Sequence, residues 1–188
     1  RFVSPSVVEQ LLRDPSQVKL GGTLQEVTVL FADLEGFTSI SEYTEPEKLL
    51  NVLNAYHTML VSAIRDHGGT IDKFMGDGLM ALYNTPLQQD DHALRAVETA
   101  LYIREQLPKF RQQFEVLFRM PINFGIHTGK AIIGNVGAPD MMNFTAVGDT
   151  VNIAARLQDE SSGGQILISA ATFERLEGQV AARPAGVR

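Results

Sequence analysis

Two β-like runs, Thr70-Ile71-Asp72-Lys73-Phe74-Met75 and Leu79-Met80-Ala81-Leu82-Tyr83, are separated only by Gly76-Asp77-Gly78. A connection that short turns the second run straight back along the first, so the two form a hairpin with Asp77 at its tip. Helical patterns flank it. Before it, Leu49, Leu50, Leu53, Tyr56, Leu60 and Ile64 recur at helical spacing from Pro46 to about His67. Pro46 in the first turn and Gly68-Gly69 beyond the end are the expected punctuation. After it, residues 90–113 read as a second long helix. Hairpins mixed with helical crossovers point to an α+β sandwich rather than a doubly wound parallel sheet.

The remaining elements follow the same logic. Residues 1–20 carry a short helical pattern, closed by Asp14-Pro15, and Gly21-Gly22 sets it apart from the first strong strand, 26–32. Met120–His127 and Ala131–Val136 read as two strands joined at Thr128-Gly129-Lys130. Phe144–Val147 is a further strand, followed by a helix from Thr150 to Gln158, a strand over Gln165–Ser169 and a short helix over Ala170–Leu176. We divide the chain into a transmission segment, 1–20, and one domain, 21–188. The chain opens on Arg1 rather than a methionine and reads as a piece of a longer protein.

Composition removes several classes of function. The net charge of −6 argues against a nonspecific nucleic-acid binder. It leaves room for a single nucleotide, because divalent ions reverse the local field. With no cysteine there is no disulfide, thiolate ligand or thiol nucleophile. No apolar stretch approaches the roughly 18 residues of a membrane helix, and no signal-peptide pattern opens the chain.

Asp33 ends the apolar run Val27–Ala32, and a carboxylate at the mouth of a buried strand is costly unless something positive sits beside it. If Asp33 and Asp77 meet in space, they make a site for one or two Mg²⁺ or Mn²⁺ ions and, through them, for a polyphosphate. The turn Asp33-Leu34-Glu35-Gly36-Phe37-Thr38 leads into a helix whose first backbone N–H groups could cradle phosphates. Asn152 and Arg156 lie four apart on one helix face, an amide and a guanidinium suited to a sugar and a phosphate. Each pattern alone has a commoner, bland meaning: a solvated turn aspartate, or a surface Asn and Arg. Asp72 and Glu35 read as solvated side chains.

The four segments FADLEGFT, DKFMGDGLMALY, FGIHTGKAIIGNVG and VGDTVNIAARL occur in this order with sensible intervals. Together they resemble the class III nucleotidyl cyclases, the adenylyl and guanylyl cyclase catalytic domain, over roughly residues 1–176. The resemblance implies a ferredoxin-like, palm-type βαββαβ sandwich with a mixed, mainly antiparallel sheet. It implies Asp33, Asp77 and the Leu34 carbonyl as ligands for two Mg²⁺ or Mn²⁺ ions per site. Gly36, Phe37 and Thr38 match the triphosphate-contacting turn, and Lys73 and Thr145 the base readers. Asn152 matches the ribose-orienting asparagine and Arg156 the arginine that stabilises the transition state. It further implies a head-to-tail homodimer, in which one chain supplies the metal aspartates and the other the base readers, Asn and Arg. The activity implied is cyclisation of ATP to 3′,5′-cyclic AMP and pyrophosphate. The setting implied is cytoplasmic signalling beneath an upstream sensor domain, in a parent protein that could be membrane-attached.

Base choice follows from hydrogen-bond inventory. Lys73 only donates and suits adenine N1, while Thr145 can accept from the 6-amine; guanine reverses that pattern. Three departures stand out. Thr145 occupies a position where many members carry aspartate, which assigns the chain to a threonine- or serine-bearing subclass with bicarbonate- or CO₂-responsive members. Asn123 stands where some relatives have a phosphate-facing arginine. The chain also stops at Arg188, before a lysine-bearing final region usual in the family, so reduced activity is expected. Rival readings are a dead cyclase-like regulatory partner, a guanylyl cyclase, and a diguanylate cyclase. Intact Asp33, Asp77, Asn152 and Arg156 oppose the first. Lys73 and Thr145 oppose the second, and a missing Gly-Gly-acidic-acidic-Phe signature opposes the third.

Overall fold

The structure, a computed structural model, describes residues 20–138 and 140–186. The helix expected over 1–20 lies outside them except for Leu20, which forms an isolated bridge to Asn135. The chain runs β1 (Gly21–Leu34), α1 (Phe37–Ser41), α2 (Pro46–Asp66), β2 (Thr70–Met75), β3 (Gly78–Tyr83), α3 (His92–Phe110), β4 (Ile122–Ala138), β5 (Met141–Val147), α4 (Asp149–Glu160), β6 (Ile166–Ile168) and α5 (Ala170–Glu174). Sheet order is β2-β3-β1-β4-β5, with these neighbours antiparallel, and β6 pairs with β4 in parallel. The β1-α2-β2-β3-α3-β4 core, ordered β4-β1-β3-β2, is the expected ferredoxin-like sandwich.

β1 is buried on both faces, which explains its unbroken apolar run. Leu30, Ala32 and Leu34 face a core closed by α2 and α3 through Tyr56, Leu60, Ile64, Ala96, Ala100 and Ile103. Val27, Val29 and Phe31 face the other way, with Met80, Leu82, Ile133, Ala146 and Ala154 of α4. Asp33 continues this second set, so strand parity puts the carboxylate on the face covered by α4. Tyr56 is fully buried, yet its hydroxyl donates to the Phe118 carbonyl at 2.8 Å and accepts from the Met120 N–H at 3.0 Å. These bonds tie α2 to the approach to β4.

Three sequence expectations are corrected. Residues 120–136 do not form two strands joined at Thr128-Gly129-Lys130; β4 is one strand, extended through all three. The reason is its partner: β1 pairs with it at every position from Gly21↔Asn135 to Leu34↔Ile122, including Val27↔Gly129. Gly21-Gly22 likewise opens β1 instead of separating it from what precedes. Asp72 is the third correction, because its side chain is 1% exposed rather than solvated.

Candidate active site

β1 delivers Asp33 and the β2–β3 turn delivers Asp77, and their carboxyl groups lie within mutual hydrogen-bonding reach. The turn can come this close because Gly78 has no side chain: a Cβ there would stand 2.7 Å from both Asp33 Oδ1 and the Ala32 carbonyl oxygen. Burial first, then the Asp77 charge and hydrogen bond, push the Asp33 pKa up to about 7, although the Leu34 backbone N–H pulls against them. Asp159 of α4 adds a smaller push. A cation beside the pair would oppose both the burial penalty and the mutual repulsion. The donors are hard oxygens, which suits Mg²⁺ or Mn²⁺. Among the described residues no cluster of three or more His, Asp or Glu side chains surrounds such an ion. The rest of a coordination shell must therefore come from backbone, water or substrate oxygens.

His57, which the sequence reading missed, steadies the Asp77 turn from α2. Its Nε2–H donates to the Asp77 carbonyl oxygen at 3.1 Å, and its ring lies 4.6 Å from that of Phe74. The signal was weak: one histidine on an otherwise ordinary helix face.

The turn after Asp33 holds Gly36 at φ +82°, and Phe37 packs partly against the first core. Gly36 and Thr38 are exposed, which leaves this segment open to a ligand. Glu35 is exposed as read, but it is also tethered: Asn123 Nδ2 donates to it at 2.8 Å, as does the Gly163 N–H at 2.5 Å. Asn123 Oδ1 in turn accepts from the Gly164 N–H at 2.8 Å. Asn123 is thus a structural bracket between β4 and the loop after α4.

Lys73 and Thr145 come from opposite ends of the sheet order, yet the structure joins them through Asp72. The Thr145 hydroxyl donates to Asp72 Oδ2 at 2.6 Å, and Lys73 Nζ lies 3.7 Å from the same oxygen. Burial raises the Asp72 pKa, opposed by the Thr145 hydroxyl and by Lys73. Asn152 and Arg156 sit exposed on α4, and neither side chain forms a hydrogen bond or ion pair among the described residues. α4 lies against β4 at Gly125, where a Cβ would stand 2.2 Å from the Gln158 nitrogen and 2.3 Å from the Ala154 carbonyl oxygen. One chain therefore brings together Asp33 with Asp77, and Lys73 with Thr145. It leaves Asn152 and Arg156 with free head groups.

The sequence profile described as "Adenylate and Guanylate cyclase catalytic domain" matches residues 21–186. The chain belongs to this cyclase family. Adenylate cyclase 1 of Rhizobium meliloti (strain 1021) is 39% identical over 166 residues, covering 86% of this chain and 25% of that protein. Adenylate cyclase of Anabaena cylindrica is 33% identical over 81% of this chain and 31% of its own length. The cyclase domain described here thus spans about a quarter to a third of these relatives. Among solved structures, the guanylyl cyclase Cya2 is 37% identical with TM-score 0.81, covering 90% of both chains. The adenylyl cyclase CyaB from P. aeruginosa is 36% identical with TM-score 0.79, over 84% of this chain and 83% of that one. Relatives of both nucleotide classes are similar to this cyclase domain at nearly the same level. Family membership alone therefore does not choose the base.

Proposed function

We propose that this domain is the catalytic unit of an adenylyl cyclase. It would turn ATP into 3′,5′-cyclic AMP and pyrophosphate, a phosphorus–oxygen lyase reaction in intracellular signalling, at a site shared between two identical chains. The observation that carries the reading is the Asp33–Asp77 pair, two carboxylates held together in a half-buried setting that calls for a divalent cation. Asp33, Asp77 and the Leu34 carbonyl would hold two Mg²⁺ or Mn²⁺ ions. When bound, the ions would supply Lewis-acid chemistry, making the ribose 3′-hydroxyl more acidic and offsetting the triphosphate charge.

The chain's own groups do the rest. Gly36, Phe37 and Thr38 offer their turn to the β- and γ-phosphates. Asn152 orients the ribose so that its 3′-oxygen faces the α-phosphorus in line with the departing pyrophosphate. As that oxygen bonds to phosphorus and the bridge to the β-phosphate breaks, Arg156 offsets the charge on the α-phosphate oxygens. Lys73 donates to adenine N1, and Thr145 accepts from the 6-amine. The free side chains of Asn152 and Arg156 support a second chain as the source of the metal aspartates. So do the exposed apolar Phe74, Met75, Ile132, Met141 and Val147, spread over β2 and the β4–β5 pair.

The test is to incubate the protein at high concentration with Mn²⁺ and equal ATP and GTP, then quantify 3′,5′-cyclic nucleotides. Cyclic AMP in clear excess is the expected result. Cyclic GMP in excess overturns the base assignment, and the absence of any cyclic product overturns the activity. The response to bicarbonate implied by the Thr145 subclass is checked in the same assay: a rate unchanged by bicarbonate at fixed pH removes it.

A further inference from the structure

Thr145 has a single proton to give, and the structure shows where it goes. Its hydroxyl points at Asp72 Oδ2, 2.6 Å away, and the only other acceptor in range among the described residues, the Ala146 carbonyl oxygen, is at 3.5 Å. Thr145 is buried, and the Asp72 side chain is 1% exposed against 49% for Lys73. Asp72 therefore does not turn out to water like an ordinary edge-strand carboxylate. It lies beneath the two base readers, accepting from one and attracting the other at 3.7 Å.

A hydroxyl whose proton is committed to a carboxylate presents only lone pairs to anything else that approaches. Free to rotate, the same hydroxyl could donate to a carbonyl as readily as it accepts from an amine, and would discriminate poorly. We propose that Asp72 is a positioning residue for purine choice: by taking the Thr145 proton it makes Thr145 an acceptor only, matched to a 6-amino purine and mismatched to a 6-oxo purine. Opposite a 6-oxo group, lone pairs face lone pairs, and a buried polar contact goes unmade. Asp72 also attracts the Lys73 ammonium, 3.7 Å from the same oxygen that takes the Thr145 proton. The proposal rests on the adenylyl cyclase reading and adds to it the group that sets the hydrogen-bond polarity.

The experiment compares ATP with inosine triphosphate, which carries the 6-oxo group without guanine's 2-amine, in the wild type, Asp72→Ala and Asp72→Asn. Alanine removes the acceptor; asparagine keeps an acceptor oxygen but adds an amide donor, so the direction of the Thr145 hydroxyl is no longer fixed. Melting temperature reports folding, and both kcat/KM and nucleotide protection against thermal unfolding report discrimination. In a folded variant the ATP:ITP ratio is expected to fall about tenfold or more, with cyclic IMP formation rising in absolute rate. A merely structural residue would depress both nucleotides together. In a Thr145→Val background the effect of Asp72→Ala on the ratio should vanish. Two folded variants that keep the wild-type ratio within about twofold overturn the inference and leave the cyclase reading intact. A wild type that neither cyclises ATP nor is protected by it overturns both.

Discussion

Asp33 is the residue at which this domain meets pH. Its carboxyl titrates near 3.8 in an unfolded chain and about 7 in the fold. Between those values the folded state holds the extra proton, so the group favours folding below about pH 4 and that contribution fades as pH rises through 7. The metal-free domain should therefore lose melting temperature from pH 6 to 8, and Asp33→Asn should flatten that part of the profile. Mn²⁺ should raise the melting temperature more at pH 8 than at pH 6, where it must displace a proton. Equal shifts at both pH values would contradict the paired-carboxylate geometry. Arg156, exposed and without a hydrogen bond or ion pair among the described residues, is the opposite case. Arg156→Ala should leave the melting temperature within about 1–2 °C and lower kcat on the order of 100-fold or more. A loss seen only in KM would assign the residue to ground-state binding.

The elements matter through their closest approach. α4 carries Asn152 and Arg156 across β4 at Gly125, where backbone atoms of Ala154 and Gln158 occupy the space of a side chain. Those atoms cannot rotate away, so Gly125→Ala must lift the helix. The expected cost is roughly 1–3 kcal/mol, read as a melting temperature lower by roughly 3–10 °C. Below that temperature, kcat should still be reduced, because the helix that positions Asn152 and Arg156 has moved. Unchanged kinetics would mean that the helix height is not critical. Element types were legible in the sequence because their signals are local: Pro46 and Gly68-Gly69 around α2, Gly76-Asp77-Gly78 between β2 and β3. The Asp33–Asp77 meeting was legible too, through two motifs whose spacing matched a known constellation. What escaped was set by partners distant along the chain. Thr128-Gly129-Lys130 resembles a turn until β1 pairs across it. Asp72, 73 positions from Thr145, resembles a solvated strand residue until β5 brings the hydroxyl that caps it. His57 had the same problem, since its target is a carbonyl 20 residues further on.

At the scale of the whole molecule, one chain presents two sets of candidate site residues, Asp33 with Asp77 and, on α4, Asn152 with Arg156. If Asp33 and Asp77 act with Asn152 and Arg156 of a second copy, specific activity should rise with protein concentration in the dilute range. A flat profile would indicate a tight dimer or a site complete within one chain, and complementation separates the two. Mixing inactive Asp33→Asn with inactive Arg156→Ala should restore about a quarter of wild-type activity, because half of the dimers are mixed and each carries one intact site of two. No recovery would mean that both residues serve the same site in one chain. The long β1–β4 ladder gives this assembly a mechanical character. Fourteen consecutive residue pairs run from Gly21 to Leu34, and alternate residues of β1 are locked into opposite cores. Sliding by one position would exchange the two cores, so this ribbon has no low-energy way to shift along its own length. A push or twist applied where the strand begins must arrive at Asp33 as a tilt of the entire ribbon, and the domain behaves as a lever in that direction rather than as a piston.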